Sequence, residues 1–261
     1  MMTLWVFSCH AHVMSPFTQV KDMEEVFQYF KDADSKTLAI FDVDMVLIQP
    51  DDPAFQMANM KRFSTISKRI MKEVPPDKQM IFLSLMTISA DPVLIDARAP
   101  RFLCEIIQKG IPTMALTANL TGEFKTIKNM EKWRIDSLRQ LGIDFSQGAP
   151  SQTMRVFKDL AAYRGNYSTY RDGILFVNGT VVSKGEAFVS FLQKIDFYPN
   201  KIIFIDDRAE NLMGLQTALQ KLDKPIEYQG LHFVGAQKYP SKMISEEEFE
   251  ARWQELAKQL D

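Results

Sequence analysis

Apolar positions along the chain recur at two spacings. Val20, Met23, Val26, Phe27 and Phe30 fall three or four apart, which predicts an amphipathic helix over 20–33. Leu38-Ala39-Ile40-Phe41 then forms a short unbroken apolar run, the pattern of a strand buried on both faces of a parallel sheet. Met60, Phe63, Ile66 and Ile70 restore helical period over 54–73, Pro75-Pro76 interrupts, and 78–89 reads as another helix. A helix over 97–109 is closed by Gly110, and Pro112 to Leu116 is a second strand. Helices are predicted from 123 to about 141, ended by Gly142, and over 152–163. Asn178-Gly179 lies between the apolar runs of Ile174 to Val182 and predicts a two-residue hairpin there. A helix over 185–195, a third buried strand at Lys201 to Ile205, a helix over 208–221 and a strand over 226–234 follow. Ser245 and Glu248 make a capping box before Phe249, Trp253 and Leu256, so Glu246-Glu247-Glu248 reads as a helix start rather than an acidic tail.

Strands alternating with helices predict an α/β domain with a parallel sheet. Residues 49–95 have helical pattern and no strand signal, which makes them a mostly helical insertion over the strand ends. The core is then 21–48 with 96–261, and a second insertion within 120–170 remains an alternative. Beyond the first twenty residues, no apolar stretch approaches the ~20 residues of a membrane span. Those first residues have no Lys, Arg, Asp or Glu before Lys21, and Leu4-Trp5-Val6-Phe7 is followed by Ser8-Cys9-His10-Ala11. Two readings are open for 1–20. One is the remnant of a secretory signal whose start lies upstream, giving an exported protein. The other is a packed or frayed amino terminus of a cytoplasmic one.

Composition narrows the function. The 261 residues carry 31 Lys+Arg against 33 Asp+Glu, a formal charge of −2, so no basic excess exists to neutralise a nucleic-acid backbone. With 46% hydrophobic and 25% charged residues the chain is globular in type. Two cysteines, Cys9 and Cys104, make neither a disulfide framework nor a four-thiolate zinc site. Gly230 and Gly235 have phosphate-loop spacing, but Ala236 and Gln237 stand where Lys and Ser/Thr are required. His10 and His12 fall in the ambiguous terminus, and His232 sits in a predicted strand as a structural residue. Trp133 and the Met-rich helix around 54–71 are read as packing elements.

Carboxylates are placed more informatively. Asp42 and Asp44 follow one buried strand and Asp206 and Asp207 follow another. In a parallel sheet the carboxyl ends of strands share an edge, and ligands bind there. Two carboxylates ~4 Å apart repel by roughly 4 kcal/mol at an effective dielectric of 20, so such a cluster holds protons or binds a cation. Oxygen-only ligands select a hard ion such as Mg²⁺. Thr117 adds a hydroxyl at the end of the second strand. Lys184 stands at a helix start, where the helix dipole disfavours it; a phosphate dianion would supply a reason for it.

Taken together, Phe41-Asp42-Val43-Asp44-Met45-Val46-Leu47, Thr117, Lys184 and Ile205-Asp206-Asp207 resemble, in order, the four motifs of the haloacid dehalogenase-like (HAD) superfamily. The stretches Gly173 to Phe176, Ser183 to Glu186 and Leu141 to Phe145 further resemble an uncharacterised bacterial HAD family whose members often carry export signals. The resemblance implies a Rossmann-like core with helices on both faces and a cap insertion. It implies an Asp42 nucleophile that takes a phosphoryl group, and Asp44 as general acid and then base. By the same resemblance, Thr117 and Lys184 hold the phosphoryl oxygens. Asp206, Asp207, the Asp42 carboxylate and the Asp44 carbonyl bind Mg²⁺, and Asn211 supports those carboxylates. An Asp at the position of Asp44 goes with phosphatases and phosphomutases, and Val46 in place of the commoner Thr fits the motif. The expected activity is Mg²⁺-dependent hydrolysis of a small phosphorylated substrate. A phosphomutase and a catalytically silent binding protein are the alternatives.

Overall fold

The computed structural model describes residues 17–179, 181–238 and 242–260. The ambiguous signal-like stretch with Cys9, His10 and His12 lies outside the described residues. The chain runs β1 (Thr18–Val20), α1 (Met23–Gln28), β2 (Thr37–Phe41), β3 (Ile48–Pro50), α2 (Met57–Arg62), α3 (Ser64–Glu73), α4 (Gln79–Ile88), β4 (Pro92–Leu94) and α5 (Ala99–Gln108). It continues through β5 (Thr113–Thr117), α6 (Met130–Gln140), β6 (Arg155–Val156), β7 (Thr169–Arg171), β8 (Ile174–Phe176), α7 (Lys184–Ile195), β9 (Lys201–Asp206), α8 (Ala209–Leu219), β10 (Glu227–Phe233) and α9 (Glu246–Ala257).

Eight strands form one sheet in the order β1-β10-β9-β2-β5-β8-β7-β6. The pairs from β1 to β8 are parallel, and β7 and β6 are added antiparallel at one edge. Alternation along each strand divides its side chains between two faces. Ala39 and Phe41 of β2 pack into a cluster with Met23, Val26, Phe102, Leu103, Ile135 and Leu138 from α1, α5 and α6. Leu38 and Ile40 face the opposite way, onto Phe188, Phe191, Leu212 and Leu215 from α7 and α8. The unbroken apolar runs are thus the consequence of burial on both faces. This is a Rossmann-like α/β fold: the strand–helix alternation predicts its class, and the resemblance implies its Rossmann-like core. From β2 the chain builds outward through β5 and β8, then returns to lay β9 on the other side of β2. That reversal opens a crevice at the carboxyl ends of β2 and β9.

A third apolar cluster lies outside the sheet. It joins Phe55, Ile66, Ile70, Phe82 and Leu85 of the 49–95 segment to Leu120, Phe124 and Met130, which follow β5, and to Phe249, Trp253 and Leu256 of α9. Contact with the residues that follow β5 puts this cluster on the carboxyl edge. The carboxyl-terminal helix, read from sequence with the core, therefore packs on the insertion. Its capping box is present, with Ser245 Oγ accepting the Glu248 N–H at 3.1 Å.

Five local expectations are corrected. The 49–95 segment is not free of strands: β3 and β4 pair antiparallel and frame its helices. The helix predicted over 54–73 is two helices, broken at Phe63. The helix expected from 123 starts only at Met130, because Phe124 and Ile127 exchange backbone hydrogen bonds and Asn129 caps the helix by accepting from Lys132 N. No helix forms over 152–163. Arg155 and Val156 pair with β7 instead, and Phe157 and Leu160 reach the core from a loop, so their three-residue spacing mimics helical period. The hairpin turn also falls elsewhere: it is Asp172-Gly173, with φ of 50° and 79°, joining β7 to β8. Asn178-Gly179 instead holds the loop after β5, with Asn178 N donating to Asn119 O at 3.3 Å and Gly179 N to Ala118 O at 3.1 Å.

Candidate functional site

Adjacent strand ends bring the acidic residues together. Phe41 of β2 pairs with Ile205 of β9, and Asp42 N donates to Ile205 O at 2.8 Å, so Asp42 and Asp206 leave the sheet side by side. Asp42 Oδ1 accepts from Val43 N at 2.7 Å, which turns its carboxylate toward the crevice. Lys184 is the first residue of α7, whose N-cap Ser183 accepts from Glu186 N at 3.1 Å. Its ammonium lies 2.8 Å from Asp42 Oδ1 and 2.7 Å from Asp206 Oδ2. This bridge explains a cation at a helix start, where the dipole disfavours it. Gly185 lets α7 approach this closely: a Cβ there would sit 2.6 Å from the Gly214 carbonyl of α8.

The cluster is largely buried and short of positive charge. The Asp206 side chain has no solvent exposure and that of Lys184 has 3%. Asp206 accepts from three groups. Lys184 binds Oδ2, Arg208 N donates to Oδ1 at 2.8 Å, and the Asn211 amide bonds both oxygens at 3.0 and 3.1 Å. Asn211 therefore braces Asp206. Burial raises the Asp42 carboxyl well above its usual range; Lys184 opposes this, and Asp206 and Asp207 add to it. Burial, with Asp206 next, pushes Asp207 up to about 7. Burial works against the Lys184 ammonium, yet Asp206 and Asp42 hold its pKa above the ordinary value.

Oxygens of Asp42, Asp206 and Asp207 lie within 4.8 Å of one another. Three carboxylates around one ammonium call for further positive charge, and the donors in this group are carboxylate oxygens. Such a set fits a hard divalent cation. The ring of His232, from β10, reaches the Asp207 backbone: Nε2 lies 2.9 Å from its carbonyl oxygen.

Asp44 is held differently. Its side chain is 28% exposed, and it accepts from Arg134 Nη2 at 2.9 Å and Asn119 Nδ2 at 2.8 Å. Arg134 Nε in turn donates to Asn119 Oδ1 at 2.8 Å. Just after Asp44 the chain turns through Met45, at φ 63°, whose N–H donates to Ile48 O at 2.8 Å. Thr117 ends β5, buried, and its Oγ1 accepts from Asn119 N at 3.3 Å. The structure thus links Asp42, Lys184, Asp206, Asp207 and Asn211 in one cluster, with Asp44 and Thr117 on the same edge. Sequence reasoning missed Asn119 and Arg134. Asn119 carries a weak signal, two residues beyond Thr117, whereas Arg134 looks like any other charge on a helix.

Among the described residues, no helix is long and apolar enough to cross a membrane. The chain is similar to uncharacterised proteins of three Rickettsia species. It is 23% identical to one from Rickettsia bellii (strain RML369-C) over 82% of this chain and 76% of that protein. Identity is 24% to one from Rickettsia felis (strain ATCC VR-1525 / URRWXCal2), over 85% of this chain and 78% of the relative. It is also 24% to one from Rickettsia typhi (strain ATCC VR-144 / Wilmington), over 90% and 84%. No solved structure matches the chain. Residues 19–261 match the family described as proteins of unknown function, DUF2608, and the chain belongs to that family.

Proposed function

We propose that this protein is a Mg²⁺-dependent phosphomonoester hydrolase of the HAD-like type, working through an aspartyl-phosphate. The observation that carries the reading is the buried Lys184 bridging Asp42 and Asp206, with Asp207 beside them and still in need of positive charge. Asp42, Asp206 and Asp207 would hold the ion, which offsets the repulsion between the acidic pocket and a phosphate dianion. Asp42 attacks phosphorus, and the bond from phosphorus to the ester oxygen breaks. Asp44 delivers a proton to that leaving oxygen; each of its oxygens has two lone pairs, so the donors already bonded to them leave room for a proton. Water then attacks the phosphorus of the aspartyl-phosphate, Asp44 takes its proton, and inorganic phosphate leaves. Lys184 steadies the nucleophile and, with Thr117, faces the phosphoryl oxygens. The substrate is a small phosphorylated molecule.

The test is turnover of 4-nitrophenyl phosphate by wild type and Asp42→Asn, with Mg²⁺ and after chelation. Asp42→Asn is nearly isosteric but cannot attack, so activity should fall at least ~10³-fold while the melting temperature holds or rises. Chelator-resistant activity, or full activity in Asp42→Asn, would overturn the mechanism. A silent binding protein would show no turnover in any arm.

A further inference from the structure

We propose that Arg134 and Asn119 are positioning residues that set Asp44 for proton transfer, an inference that rests on the hydrolase reading above. Three hydrogen bonds close a ring: Arg134 to Asp44, Asn119 to Asp44, and Arg134 to Asn119. Each carboxylate oxygen is held by a different donor, which fixes the plane of the carboxyl group as well as its place. The side chain of Arg134 is 1% exposed, so it cannot meet a substrate and acts only through what it holds. Asp44 itself opens to solvent, as a group serving both a leaving oxygen and a water must.

The parts of the ring are themselves braced. Arg134 projects from α6, whose Met130 packs in the third cluster and whose Ile135 and Leu138 pack beneath the sheet. Its guanidinium lies 4.9 Å from the ring centre of Trp133. Asn119 is held by its backbone: Asn178 N donates to its carbonyl, and Asn178 Oδ1 accepts from Thr121 N at 2.8 Å. A buried guanidinium needs a carboxylate partner for stability in any protein. Structural need alone, however, does not ask for a second donor on the other oxygen of a half-open Asp.

The experiment compares kcat/KM for 4-nitrophenyl phosphate, whose leaving group needs little protonation, with that for ethyl phosphate, whose leaving group needs it fully. A positioned acid contributes about 10²–10⁴-fold. Arg134→Met should therefore lower kcat/KM about 100-fold for ethyl phosphate and only several-fold for the aryl ester. Hydrolysis of the aspartyl-phosphate should slow too, giving a burst of about one equivalent of 4-nitrophenol per active site. Arg134→Lys, which keeps the charge but not the fork, should fall between wild type and Met. In an Asp44→Asn background, Arg134→Met should cause no further loss on ethyl phosphate. Equal loss on both esters, or additive losses in the double variant, would reduce Arg134 to a purely structural role. If Arg134→Met does not fold, Asn119→Ala decides by the same ratio of substrates. A wild type that hydrolyses neither ester refutes the hydrolase reading itself, and the positioning role with it.

Discussion

A single ammonium, Lys184, faces the buried Asp42 and Asp206, with the partly exposed Asp207 next to them. Asp42 and Asp207 are both raised, chiefly by burial. An Asp titrates near 3.9 in the unfolded chain. The folded chain therefore binds protons that the unfolded chain releases, between about 4 and 7 for Asp207. The sign follows: in chelator, this contribution stabilises the protein fully at the acidic end and is lost as pH rises through about 7. A cation reverses the trend, since it needs these carboxylates deprotonated. The stabilisation by millimolar Mg²⁺, read as a rise in melting temperature, should be small near pH 5.5 and grow toward pH 8. A shift independent of pH would mean that the ion binds elsewhere. At this scale the sequence was legible to a degree. Asp42, Asp206 and Asp207 meet as expected because short parallel strands leave little freedom at their carboxyl ends, and Lys184 joins them from the first turn of α7. Arg134 was illegible because its partner Asp44 lies 90 residues away, and no local pattern marks that pairing.

Elements were legible where burial alone decided them. The runs at β2, β5 and β9 are apolar because both faces of the sheet are covered, so periodicity reads them directly. Turns were less legible. Asp172-Gly173 and Asn178-Gly179 carry equivalent local signals, and only the pairing of β7 with β8 selects the first. The element that most directly sets the site is the contact of α7 with α8. Gly185 makes it, since an added methyl would meet the Gly214 carbonyl at 2.6 Å and Ala218 Cβ at 2.9 Å. A backbone oxygen cannot rotate away, so Gly185→Ala must push α7 outward. Overpacking of this kind costs about 1–3 kcal/mol, against at most ~1 kcal/mol gained from the helix propensity of Ala. Lys184 would move with the helix, so the variant should melt lower and lose about tenfold or more in kcat, since small displacements of a site group are costly. An unchanged kcat in a variant that still melts lower would separate the packing of α7 from the placement of Lys184.

The described residues of the whole molecule are built on three apolar clusters. Two lie on the faces of the sheet, and the third joins the insertion to the carboxyl-terminal helix. The third was the least legible part, because a capping box announces a helix but says nothing of what it packs on. Trp253 is its centre. Its ring centre lies 5.4 Å from that of Phe82, 5.6 Å from Phe249 and 6.2 Å from Phe55, and its indole N–H donates to Ala54 O at 2.9 Å. Truncating a buried Trp to Ala costs about 3–5 kcal/mol, and the Ala54 carbonyl would lose a buried partner as well. How that loss spreads depends on whether the third cluster unfolds with the sheet or before it. β3 and β4 form their own two-stranded sheet, and α9 crosses to the insertion from the far end of the chain. Local opening is therefore expected first in the third cluster. Trp253→Ala should speed amide hydrogen exchange in α3, α4 and α9 while leaving β2 and β9 protected. The Asp42–Lys184–Asp206 bridge would persist in such a variant, and Mg²⁺ should still raise its melting temperature. Exchange that quickens equally in β2 and β9 would show instead that insertion and sheet unfold as one cooperative unit.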